Sequence, residues 1–102
     1  MYAQGAIESS ITLFSEAISL NAIVSSYWIH RAIAHVADKH YLRALKDTEQ
    51  GLSLNSRQVE GMILKAKLLW KLALIEQGNV TISHAYHCYP NHPEVRHDIR
   101  AD

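Results

Sequence analysis

A chain of 102 residues with ten Lys and Arg against ten Asp and Glu is one small domain or a piece of a larger one. Its zero formal charge leaves no electrostatic footprint for a phosphate backbone, which argues against nucleic acid as the partner. There is no long uncharged apolar run, so nothing reads as a membrane-spanning helix or a membrane partner, and the N-terminus lacks a signal-peptide pattern.

In chain order, Ile7, Ile11, Phe14 and Ile18 step by three and four residues and predict an amphipathic helix of about four turns, ended by Asn21. Ser25 and Ser26 are placed to cap a second helix, with Trp28, Ala32 and His35 on one face. Asp38-Lys39-His40 reads as a polar turn. Tyr41, Ala44, Leu45, Thr48 and Leu52 mark a third helix closing near Leu54-Asn55. Ser56 opens a fourth, with Met62, Ala66, Leu69 and Ala73 on its packed face. A fifth runs from about Glu76 to Cys88 and is stopped by Pro90. Pro93 suits the first turn of a sixth, capping helix or tail over 93–102. Gly78-Asn79 looks like a turn on local grounds. The longer pattern places the turn near Leu72 to Ile75 instead, with Gly78 inside a helix.

That longer pattern is a repeat of 34 residues. FSEAISLN (Phe14 to Asn21) returns as TEQGLSLN (Thr48 to Asn55) and again as ISHAYHCY (Ile82 to Tyr89). Ala17, Gly51 and Ala85 coincide, as do Leu20, Leu54 and Cys88. Small residues at fixed places in a fixed period mark units that bury their apolar faces on one another.

These residues resemble the tetratricopeptide repeat. With Ser25 as the first position of one unit, Trp28 falls on the large fourth position and Ala32 on the small eighth. Tyr41 falls on the seventeenth, Ala44 on the small twentieth and Gly51 on the small twenty-seventh. With Val59 opening the next unit, Met62, Ala66, Leu69, Gly78, Ile82, Ala85 and Pro90 fall into place. His35, Thr48 and Ser56 depart from the pattern. The resemblance implies an all-α fold, a right-handed helix-turn-helix solenoid of antiparallel α-hairpins. Residues 5–24 would be the second helix of an incomplete repeat, with full repeats over 25–58 and 59–92.

The resemblance also implies a concave groove lined by the first helix of each unit. Its residues would be Ser26, Ile29, His30, Ile33, Val36 and Ala37, then Glu60, Ile63, Leu64, Lys67, Trp70 and Lys71. Of these, Ile29, His30, Ile33, Val36, Ile63, Leu64, Lys67, Trp70 and Lys71 are the expected partner-binding residues. They form an apolar surface with Trp70 as its anchor, suited to a peptide or helix of another protein. The family members that clamp chaperone C-termini use Asn at position six, then Lys at two and Arg at six of the next unit. Here those positions hold His30, Glu60 and Leu64, and only the flanking Arg31 and Lys65 persist. A carboxylate clamp is therefore not expected.

The single cysteine, Cys88, has no partner for an internal disulfide. A reducing, cytoplasmic compartment fits, and the sequon Asn79-Val80-Thr81 is a chance match. His84, His87, Cys88 and His92 cluster in sequence, but no paired-cysteine motif accompanies them, so no metal is expected and Cys88 reads as a buried thiol. No Gly-rich phosphate loop or nucleophile–base pattern supports catalysis, and no cofactor is implied. The first helix lacks a hairpin partner, which fits a fragment of a longer array or an exchanged helix supplied by another chain, and predicts that the isolated segment self-associates through it or is marginally stable. GMILKAKLLW and HPEVRHDI resemble the tetratricopeptide subunit of the ciliary outer-dynein-arm docking complex. That gives an alternative function, a structural or assembly element whose groove is filled by its own protein or complex.

Overall fold

The computed structural model describes residues 4–91, and every regular element among them is an α-helix: α1 (Gln4–Leu20), α2 (Ser25–Ala37), α3 (Tyr41–Leu54), α4 (Val59–Lys71) and α5 (Ile75–Cys88). The sixth helix expected over 93–102 lies outside the described residues. The chain forms two compact units, divided between Ser56 and Arg57. In the first, α2 packs against both α1 and α3; in the second, α4 packs against α5.

The helix ends recur at the 34-residue spacing. Asn21, Asn55 and Tyr89 each donate a backbone N–H to the carbonyl four residues back, on Ala17, Gly51 and Ala85. The turns within the hairpins match as well. Lys39 and Ala73 both have positive φ, 61° and 65°. His40 N–H reaches His35 O and Lys39 N–H reaches Val36 O; Leu74 N–H reaches Leu69 O and Ala73 N–H reaches Trp70 O. This paired bonding satisfies carbonyls that a helix end would otherwise leave open, and it requires one left-handed residue. Ala73 is thus outside α4, not on its packed face. The helix starts also differ from expectation. α2 begins at Ser25 with Val24 as its cap residue, and α4 begins at Val59 with Gln58; neither side chain caps its helix. Packing of the apolar faces, rather than capping, fixes where these helices start.

Gly78 lies inside α5, as the repeat spacing requires and its local sequence does not suggest. The reason is close approach. A Cβ on Gly78 would lie 2.5 Å from Cδ1 and Nε1 of Trp70 and 3.1 Å from Ala66 O. Gly51 has the same relation to α2: a Cβ there would meet Ile29 Cδ1 at 2.6 Å and Ser25 O at 3.2 Å. Ala32, Ala44, Ala66 and Ala85 are fully buried at neighbouring crossings. The hydroxyl of Tyr89 donates to Arg57 O, tying the end of the second unit to its start.

Candidate functional site

The polar centre of the first unit is Arg31 on α2. Its Nε and Nη2 donate to Asp47 Oδ2 and Oδ1 on α3, both at 2.8 Å, and Nη1 donates to Ser15 Oγ on α1 at 3.1 Å. The guanidinium also stands 5.1 Å from the ring centroid of Trp28, whose indole N–H donates to Ala22 O at 2.9 Å. One side chain therefore links three helices, and two parallel bonds to a buried carboxylate fix its geometry. The hydrogen bond to Asp47 pushes the Arg31 pKa up.

Two departures from the repeat pattern are polar residues buried in this unit, of which His35 adjoins the network. His35 is buried, with Nε2 3.5 Å from Asp47 Oδ2. Burial pushes its pKa down, more than the nearby Asp47 carboxylate pushes it up; Arg31, Arg43 and His40 add to the lowering. Its Nδ1 is buried and meets no hydrogen-bonding group among the described residues. Thr48 is fully buried, and its hydroxyl donates to Ala44 O at 2.8 Å.

Beside this network, α1 and α2 enclose an open cleft of about 130 Å³, lined by Ile7, Ser10, Phe14, His30, Ile33 and Ala34. The Phe14 and His30 rings stack across it, 5.6 Å apart and 21° from parallel. Ile33 is 41% exposed at its rim. An apolar space of this order is large enough for one bulky side chain.

The nine expected partner-binding residues divide by burial. Ile29 and Ile63 are 1% and 3% exposed and belong to the core, Ile29 being the side chain that covers Gly51. His30, Ile33, Lys67 and Lys71 are exposed, and Val36 and Leu64 half-buried. Trp70 is half-buried and held within its own hairpin: its indole lies against Gly78, and its N–H donates to Asn79 Oδ1 at 3.0 Å. The α1 side of the cleft, Ile7, Ser10 and Phe14, was absent from the expected set. Those residues read simply as the packed face of the first helix, and only the half-buried state of Ser10 and Phe14 sets them apart.

His84 Nε2 and Cys88 Sγ stand 3.8 Å apart on α5, and Cys88 is half-buried. Among the described residues no three His, Cys, Asp or Glu side chains converge as metal ligands. His92 lies outside them. No helix among the described residues is long and apolar enough to cross a membrane.

No family model matches the sequence, and no curated protein matches it. Solved structures do. The tetratricopeptide domain of Arabidopsis OM64 superposes with a TM-score of 0.87 at 17% identity, over 93% of this chain and 78% of that one. The fold is that of a tetratricopeptide-repeat domain. The first such domain of Spaghetti (RPAP3), bound to the HSP90 peptide SRMEEVD, gives 0.88 at 17% identity over 96% of this chain and 78% of that one. The second such domain of human RPAP3, in complex with the HSP70 peptide SGPTIEEVD, gives 0.86 at 15% identity over 96% and 82%. At these identities the likeness shows the tetratricopeptide fold alone.

Proposed function

We propose that this chain is a non-catalytic protein-interaction scaffold that takes an apolar anchor from a peptide or helix of another protein. Residues 25–58 and 59–92 act as its repeats and 5–24 as the second helix of a further one. The observation that carries this reading is the α1–α2 cleft, open, apolar and stocked with an aromatic pair. It contains His30 and Ile33 of the expected set. Val36, Leu64, Lys67 and Lys71 are further contact candidates, and Trp70 serves chiefly to hold its hairpin.

The mode of binding differs from a clamp for acidic C-termini. Exposed Glu60 stands in the first turn of α4, where a carboxylate ligand would be repelled. Leu64 offers no donor. Arg31, the flanking cation, already holds the Asp47 carboxylate. Titration with SRMEEVD, alongside an array of peptides carrying Leu, Phe or Trp anchors, tests both parts. The reading expects apolar-anchored peptides to bind, Ile33→Asp to weaken them at least tenfold, and SRMEEVD to give no signal. Micromolar SRMEEVD binding indifferent to Ile33→Asp would overturn it.

A further inference from the structure

His84 and Cys88 stand four residues apart on α5, so they share one face of the helix, a spacing that lets two side chains ligate one metal ion. Their donor atoms face each other. His84 Nε2 is 3.8 Å from Cys88 Sγ, and among the described residues neither side chain has another polar partner. A zinc ion bound tetrahedrally by an imidazole nitrogen at roughly 2.0–2.1 Å and a thiolate at roughly 2.3 Å holds those two atoms about 3.6 Å apart. The pair therefore stands within about 0.2 Å of the bite of a chelate, the tolerance a metal site allows. No Lys or Arg lies on α5 to oppose a dication. His84 is exposed and Cys88 half-buried, so an ion can reach both. This openness belongs to the repeat position. Gln50 and Leu54, at the same places on α3, are exposed as well, although α4 and α5 follow them in the chain.

We propose that His84 and Cys88 are half of a zinc site, completed by the same pair from a second copy of this chain. A closed zinc site takes four ligands. Among the described residues one chain brings no third His, Cys, Asp or Glu side chain to the pair. Two copies related by a twofold axis through the ion supply two nitrogens and two sulfurs, a tetrahedral set that suits zinc. The charges balance. Each thiol releases its proton to solvent as its sulfur binds, and two thiolates neutralise the dication. Val80, 70% exposed, stands four residues before His84 on the same face, where the two α5 helices would meet. The ion rather than buried area joins the copies, so this contact forms only with metal. A paired-cysteine motif is needed where one chain supplies every ligand; half a site per chain needs only one histidine and one cysteine.

The test is sedimentation velocity of the full chain with zinc chloride, under a phosphine reductant that prevents a Cys88 disulfide, paired with a cobalt(II) titration followed by absorbance. Zinc should double the mass of the metal-free species at one ion per two chains, and EDTA should reverse it. Cobalt should give the intense visible bands of a tetrahedral ion and a thiolate charge-transfer band. His84→Ala and Cys88→Ser should each abolish the doubling and weaken zinc binding at least tenfold. Neither side chain is buried, so the metal-free melting curves should match the parent. His87→Ala should leave both readouts unchanged. Absence of zinc binding up to about 100 μM overturns the proposal. So does a mass increase that survives Cys88→Ser, or a weak octahedral cobalt spectrum. One ion per chain with no change in mass, lost in His92→Ala, also overturns it, since a single chain then closes the site by itself.

Discussion

Arg31 is the residue whose loss the first unit would feel most. Removing it leaves Asp47 buried with a histidine 3.5 Å away and, among the described residues, no Lys or Arg at bonding distance. Arg31→Ala should cost about 3–5 kcal/mol, read from urea unfolding, whereas Arg31→Met with Asp47→Leu should recover most of that by removing both charges. Arg31→Ala alone should raise the pKa of His35, because Arg31 is one of the cations that lowers it while Asp47 stays in place to raise it. His35 has its own consequence for pH. Folding lowers its affinity for a proton, so the unfolded chain binds protons more readily. Its contribution to stability is therefore complete above the ordinary histidine value of about 6.5 and is lost as pH falls through that value toward the folded pKa. His35→Leu, which copies the equivalent Leu69, should make the melting temperature less sensitive to acid than in the parent when compared at pH 7.5 and 5.5. An identical acid response in the two proteins would contradict this. Neither role was legible beforehand. His35 and Thr48 read as mismatches, because the carboxylate that stands beside His35 Nε2 comes from twelve residues away in the next helix.

At the scale of elements, the order of the helices was legible because apolar spacing and the 34-residue period reinforce each other. The turns were not. Left-handed positions are usually marked by glycine, but here they fall on Lys39 and Ala73, while Gly78-Asn79, which has the composition of a turn, is helix. Gly78 is where it is for Trp70 rather than for flexibility. Two substitutions separate these roles. Ala73→Gly relieves a Cβ held in the left-handed region and should stabilise the second unit by about 1 kcal/mol. Gly78→Ala is favourable for helix propensity by a similar amount, but its Cβ meets the Trp70 ring and the Ala66 carbonyl, so it should destabilise by about 1–3 kcal/mol. Thermal melts in which both substitutions stabilise would show that the Trp70 indole moves aside at no cost.

At the scale of the molecule, the all-α tetratricopeptide fold could be read from the sequence, and the surface only in part. Repeat positions assign residues to a helix face, but burial is decided by what the neighbouring helix brings. Adjacent positions can thus have opposite fates: Ile63 is core, whereas Leu64 is half-exposed. A buried aspartate without a partner is costly, and a rim aspartate can keep its water. Ile63→Asp should therefore unfold the second unit, with loss of helical circular dichroism. Leu64→Asp should keep the helix content within a few per cent of the parent and act on partner binding alone. If Leu64→Asp unfolds the chain as Ile63→Asp does, Leu64 belongs to the core and the contact surface retreats to the first unit. If it keeps both fold and binding, partner contacts need nothing from α4, and the α1–α2 cleft is sufficient.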